Sequence, residues 1–536
     1  MKTMISLKGA ARVLAVLGVV GQLPVLAGEY ESNINKGFVV HGTGKLTVQA
    51  DRGSIEVDTG AIGQVAVTVT RTVKDASKSQ ADELFADYEV IFQQDGNNVS
   101  VVGKSKRRQL SNWRSGQPHL EIHWRISIPG KFDADLKTAG GDIRVGDLVG
   151  SVRTRTSSGS IKVAKVEGPV EAADSGGDIS IEAAAGDVKA QTSSGSIHLK
   201  KGGGKVTATD AGGNVRIEEA GGDVVATTSS GSVGIGKARG SVQARSAGGD
   251  IAVGSAGGAV TAETSSGSVS IGTAQGSVQV KNAGGNIGIG SAGGDVTAQT
   301  SSGSIELGTS RGKNVTLNNS GGNITVKQAA GAVSAQTSSA SIEVRKVGGD
   351  LDAKNSGGTI SVGEAGGFVF AQTSSGSISV RRAKSKIEAN DTGGDVTIEE
   401  AGGETVVRTS SGSVRIGAAK AAVQVKNSGG PIQVGDAKGA VQAETSSGDI
   451  EVVYSKPPNV QSRLHVSGGG IKVAVPANAA LDLDARTSGG QVITELPTAQ
   501  ARSEPNTGSL QAKLNGGGPP LILRASSGDI RIRAAK

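Results

Sequence analysis

The sequence predicts an all-β protein, a parallel β-solenoid (β-helix) of about 18-residue coils with two short strands each, on three observations: a strict repeat, alternating strands between glycine turns, and scarce aromatics. The repeat is carried by Ile143, Ile161, Ile179, Ile197, Val215, Val233, Ile251, Val269, Ile287 and Ile305, each 18 residues from the last. One inserted residue precedes Ile324, and the spacing resumes through Ile342, Ile360, Ile378, Val396, Val414, Ile432 and Ile450. A period kept this long means identical coils stacked on one another, each burying what its neighbours leave open. With 84 Gly and only 2% aromatic residues, the composition suits a thin tube lined by small β-branched side chains rather than a thick globular core.

Each coil divides into two nine-residue halves, as in Ser160 to Gly168 and Pro169 to Gly177, each a short alternating strand followed by a turn. Alternation puts Ile161 and Val163 on one face, and Val170 and Ala172 on one face of the next strand. The column two residues after the first aliphatic runs Val163, Ile181, Leu199, Ile217 and on to Val452 without a polar member, whereas the residue between is Lys162, Ser180, His198, Arg216 or Gly234. One column is dry and its neighbour wet. The second half-coil has Val and then usually Ala, as at Ala172, Ala190, Ala208 and Ala226, so large side chains on one wall face small ones on the other. Turn chemistry alternates from coil to coil: Thr156, Thr192 and Thr228 open Thr-Ser-Ser-Gly turns, while Asp174, Asp210, Ser246 and Asn282 open Gly-Gly turns. Like stacked on like would give the alternative architecture, a 36-residue coil of four strands. The many inward Ala would fill so wide a coil poorly, which favours 18.

A stack of coils needs its ends covered. Residues 28–138 read as a β-rich capping region, with candidate strands at Lys45 to Ala50, Ser54 to Val57 and Val65 to Thr70. A helix capped at Ser77 or Ser79 and running to about Ala86 follows, then a hairpin of Tyr88 to Gln93 and Val99 to Val102 around Asp95-Gly96-Asn97-Asn98. Residues 139–455 carry the regular repeat and 456–536 degenerate repeats and a second cap. Seven of the twelve prolines lie from Pro457 to Pro520, and an imino acid without an amide suits the last coils of a stack.

Residues 1–27 place Lys2, Lys8 and Arg12 before or beside an apolar run, Val13 to Val20, and end in Val25-Leu26-Ala27. This is the pattern of a secretory signal peptide, so the mature protein is expected to be exported, to the cell surface, the medium or the periplasm. No later segment reaches the roughly 18 apolar residues a membrane helix requires. The absence of cysteine rules out disulfides and a lipid-modified cysteine. The formal charge is +7, and the three positives before residue 28 have no acid beside them, leaving +4 for the rest. So weak a balance, without basic faces or stacking aromatics, argues against a nucleic-acid partner. Lys104, Lys106, Arg107, Arg108 and Arg114 form one local exception, read as a solvated loop.

Several stretches together resemble the bacterial putative adhesin family, a domain of unknown function (4097 type). They are Arg52-Gly53-Ser54-Ile55-Glu56-Val57, the Ser-rich helix leading to Asp87-Tyr88-Glu89-Val90, and Ile126-Ser127-Ile128-Pro129. The Ser-Ser-Gly-Ser-Ile and Gly-Gly-Asp-Ile turns and the closing Ser526-Ser527-Gly528-Asp529-Ile530 complete the set. The resemblance implies a β-solenoid at the envelope or surface with no known catalytic residues.

Four patterns bear on chemistry. Calcium-binding rolls need an aspartate at one turn position in successive repeats, but the residue after Gly-Gly here is Asp178, Asn214, Asp250, Asn286, Asn323, Thr359, Asp395 and Pro431. His119, Glu121 and His123 alternate on one strand face, the only metal-like grouping. Polysaccharide lyases and hydrolases on β-helices need concentrated carboxylates, whereas the outward columns mix Lys, Ser, His, Arg, Gly and Glu. Outward pairs such as Arg153 with Arg155 and Gln279 with Lys281 interrupt any flat Thr face suited to ice. No catalytic, cofactor-binding or metal-ligating residue is therefore assigned. The expected function is that of a non-enzymatic, adhesin-like rod binding a protein or glycan of the envelope or of a host or neighbouring cell. The alternatives are a periplasmic envelope scaffold or stress-associated protein and, behind both, a polysaccharide-active enzyme.

Overall fold

The computed structural model describes residues 28–60, 62–106, 118–496, 501–502 and 508–535. Residues 1–27 and the basic residues Arg107, Arg108 and Arg114 lie outside them. The chain is a parallel β-solenoid with two strands per coil. Strands such as Ile161–Val166, Ile179–Ala184 and Ile197–Gly202 stack into a first sheet. Val170–Ala173, Val188–Gln191 and Val206–Thr209 stack into a second. Ile161 pairs with Ile179 and Val170 with Val188, so neighbours along the axis are 18 residues apart, not 36. The first sheet has 25 strands, which at about 4.8 Å per strand makes a rod of about 115 Å.

The inward columns are those the repeat predicts: Ile161, Val163, Val170 and Ala172 are all 3% exposed or less, as are their counterparts up the rod. A further inward column escapes simple alternation. First-sheet strands are six residues long, with two successive outward residues before the last one turns in, so Val166, Ala184, Ala220, Ala238 and Ala256 also line the core. Those small side chains fill the edge of the tube, where the two walls converge.

Both ends extend the sheets out of chain order. At the first end Gly44–Ala50 pairs in parallel with Phe132–Thr138 on one side and Asn98–Ser105 on the other. Ser54–Thr59 likewise lies between Ile143–Val145 and Leu120–Ile128. Beyond these, Gln64–Ala76, Gly28–Val39 and Tyr88–Asp95 pair antiparallel and close the end. The expected hairpin turns at Asp95–Asn98, and the helix spans Lys78–Asp87 with Ser77 as its N-cap. Ser77 and Gln80 exchange side-chain and backbone bonds there, a capping box. Under the helix Arg71 bonds Phe85 O at 2.9 Å and Ser32 Oγ at 2.6 Å, tying it to both antiparallel strands. Trp124, the largest buried side chain among the described residues, packs on Tyr88, and Gly103 is bare beneath both because a Cβ there would stand 2.3 Å from the indole.

At the other end the final strands, Pro520–Ala525 and Ile530–Ala534, are not outermost. They insert between Ser462–Gly468 and Leu481–Thr487 in the second sheet, and between Ile471–Val475 and Val492–Thr494 in the first. Ser509–Leu514 then adds antiparallel and ends the second sheet's parallel run.

Candidate binding surface

The alternating turns form one corner of the tube, and their first residue points inward in both types. Thr156, Asp174, Thr192, Asp210, Thr228, Ser246, Thr264 and Asn282 are each 7% exposed or less. In this slot the side chain donates to a carbonyl of the preceding coil: Thr192 Oγ1 to Gly177 O at 3.0 Å, Ser246 Oγ to Gly231 O at 2.8 Å, Asn282 Nδ2 to Gly267 O at 2.9 Å. Hydroxyl and amide thus serve one purpose, and unlike stacks on unlike. That removes the reason to expect a 36-residue coil, since the alternation needs no ladder of identical residues.

Asp174, Asp210 and Asp391 occupy the same slot without a proton to donate when ionised. Asp391 instead accepts from Gly393 N at 3.1 Å and Gly394 N at 3.0 Å, and Asp210 Oδ2 is buried with no partner. Burial holds the Asp391 carboxyl above the usual carboxylate range, against the pull of those amides. A group whose pKa is raised on folding favours the folded state at low pH and loses that contribution as pH rises through the raised value. Asn427, in the equivalent position, donates to Gly412 O and Gly430 O, both at 2.9 Å. Asp391→Asn should therefore stabilise the protein at neutral pH by about 1 kcal/mol, the worth of a satisfied buried hydrogen bond. Urea titrations of both proteins at several pH values should show the advantage shrinking as acid protonates Asp391; an advantage independent of pH would refute the assignment.

The residue after Gly-Gly has a structural task. Asp178 Oδ1 accepts from Ser196 N at 2.8 Å, Asn214 Oδ1 from Ser232 N at 2.7 Å and Asp250 Oδ1 from Ser268 N at 2.7 Å, each bonding the amide one coil on. Asp and Asn are interchangeable in that role, which accounts for the mixture in the sequence. In Asp395 the bonds from Ser413 N and Oγ hold the carboxyl below its usual range. His119, Glu121 and His123 are not drawn together round a point: Glu121 takes Lys74 Nζ at 3.0 Å and His119 Nε2 at 3.2 Å, while His123 projects to solvent. The Lys74 bond is the main cause of the lowered Glu121 pKa. Lys104 of the basic segment lies 3.7 Å from Glu89, and Lys106 Nζ bonds Ala86 O at 3.0 Å.

What remains for recognition is the pair of outer faces. On the first sheet Gly236, Gly254, Gly272, Gly290 and Gly308 stack into a strip of bare backbone. On the second, Thr207, Val225, Gln243, Thr261, Gln279, Thr297, Thr316 and Ser334 make a long uncharged column. Charged pairs join adjacent coils, as in Arg245 with Glu263 at 3.3 Å and Arg382 with Glu400 at 2.7 Å. Exposed pairs of this kind contribute little stability each, so their main effect is to set the surface pattern. Two grooves lie on the same sheet, one overlapping the start of the uncharged column at Thr207 and one several coils beyond its end at Ser334. The first, of about 500 Å³, runs from Lys45 to Thr207, and its charges neutralise one another: Lys45 with Asp135 at 3.0 Å, Arg153 with Glu171 at 2.8 Å. The second runs from Val406 to His465.

A two-sheeted parallel β-solenoid with a polar corner ladder and long solvated faces is the class these features define. The chain belongs to the Toastrack DUF4097 family, whose model matches residues 130–225, 272–434 and 349–482. Among solved structures it is similar to a putative adhesin from Bacteroides fragilis NCTC 9343, at 15% identity and a TM-score of 0.21, covering 54% of this chain and 97% of that one. It is also similar to a putative cell adhesion protein from Clostridium sporogenes ATCC 15579, at 8% identity and a TM-score of 0.16, covering 40% of this chain and 100% of that one. No curated protein matches the sequence.

Proposed function

We propose that this protein is an exported, non-enzymatic, adhesin-like rod whose repetitive outer faces bind a glycan or protein of the envelope or of a neighbouring cell. The observation that carries the reading is the register itself. Every outward position recurs once per coil, as with Thr207, Val225, Gln243 and Thr261 on the second sheet, so varied, weakly binding side chains are presented at one fixed spacing along a stiff axis. Repeated weak contacts with a partner that is itself repetitive add up through effective concentration, without a deep pocket. Two adhesion-related names among similar structures agree with this reading but rest on fold alone. Export through residues 1–27 is part of the proposal.

Protease treatment of intact cells, combined with binding of the purified chain to cells and to a glycan library, tests it. The expected result is cleavage on intact cells and saturable binding. Full protection together with a co-purifying envelope protein would replace it with the periplasmic scaffold, and depolymerisation of a glycan by the pure chain would replace it with an enzyme.

A further inference from the structure

The groove at the far end of the second sheet differs from its counterpart near Lys45. Its outward residues pair across coils as Arg408 with Lys426, Gln424 with Gln442, Lys426 with Glu444, Gln442 with Arg463 and Glu444 with His465. Arg408 is held by Glu388 at 3.1 Å. Lys426 and Arg463 are exposed and, among the described residues, take no ion-pair partner within 4.0 Å. Between them lie the exposed amides of Gln424 and Gln442. Near Lys45, by contrast, Glu171 alone lies within 4.0 Å of Arg153, Arg155 and Lys189.

We infer that the groove from Val406 to His465 is a binding site for an acidic polysaccharide strand lying along the rod axis, with Lys426 and Arg463 pairing with its carboxylates. The inference rests on the adhesin-like reading and deepens it. Charge complementarity selects the occupant: two uncompensated cations on a solvated face favour an anion, and a guanidinium matches a carboxylate with two parallel bonds. The intervening primary amides offer donors and acceptors to sugar hydroxyls. A chain polymer, unlike a small anion, can span the two coils that separate Lys426 from Arg463 and meet both cations at once. Glu444, in register with Lys426, opposes the ligand and limits its affinity.

The test uses the full chain with polygalacturonate, its fully methyl-esterified form as a neutral match, and an oligothymidylate. Binding should be seen to polygalacturonate, weaken with salt, and be lost with the ester. Lys426→Ala with Arg463→Ala should weaken it by about tenfold or more, as loss of charge-assisted bonds does. Glu444→Gln should strengthen it, and Lys281→Ala, an outward cation elsewhere on the same sheet, should leave it unchanged. All four side chains point outward, so circular dichroism should report an unaltered fold. Equal binding of the ester, equal or tighter binding of the oligothymidylate, or indifference to the double substitution would overturn the inference. If the double variant still binds cells or library glycans as the parent does, only this site assignment fails; if the parent binds none of them, the adhesin-like reading fails with it.

Discussion

Ile271→Asp should unfold the middle of the rod, while Ser270→Asp, one residue away, should leave it intact. Ile271 is 1% exposed and stacks between Val253 and Ile289, in a column with no polar partner to receive a carboxylate. An uncompensated charge there costs about 3–5 kcal/mol, and protonating it to escape that cost still leaves an unpaired polar group. The damage is not confined to one coil. Each coil touches only its neighbours, so a failed coil leaves two raw edges in place of one continuous stack. Ser270 faces solvent between Ala252 and Gly288, and a carboxylate there should change stability by no more than about 0.5 kcal/mol. Urea unfolding followed by circular dichroism, with limited proteolysis to find the break, measures both. Comparable effects at the two positions would mean that the strand faces are assigned wrongly.

Removing residues 515–536 should have a comparable effect, because it empties an interior slot rather than trimming a tail. Leu521, Leu523, Ile530 and Ile532 are each 1% exposed or less. Burying aliphatics of this size contributes roughly 1.5–3 kcal/mol each. Without them Ser462–Gly468 and Ile471–Val475 are left with unpaired edges, and Leu481–Thr487 keeps only its antiparallel neighbour. The truncated protein is expected to self-associate beyond the full chain on gel filtration, and a synthetic peptide of residues 515–536 added in trans should bind it and reverse that association. A truncated chain with the full chain's elution behaviour and an unchanged melting temperature would contradict the threading.

The long middle was legible because each inward position returns at one interval, and a dry column beside a wet one fixes the register from Ile161 to Val452 without any knowledge of contacts. The Val166 to Ala256 column was hidden by the bend that places two outward residues together, although its own recurrence of Ala every 18 residues was there to be read. At the first end the strands, the helix and the hairpin could be read, but at neither end could the pairing. Gly44–Thr59 and Pro520–Ala534 pair with segments far from them in sequence, and no period announces such pairings. The unpaired cations were invisible for a related reason. Tyr454, fully buried where the regular coils hold Ala, is followed by extra residues that set Arg463 against Gln442 at a spacing of 21 rather than 18.

The corner ladder limits how a chain of this kind can change length. In the third place of alternate turns a serine, such as Ser375, lies beside a glycine of the next coil, Gly393, where an added Cβ would come within 3.1 Å of the Ser374 backbone carbonyl and 3.5 Å of Ser375 Cα. Duplicating a single coil would set two serine turns face to face, or two bare ones, whereas duplicating a pair reproduces every existing neighbour. Growth or loss by pairs of coils therefore keeps every existing corner contact, whereas a change of one coil sets a side chain where the stack now holds Gly393.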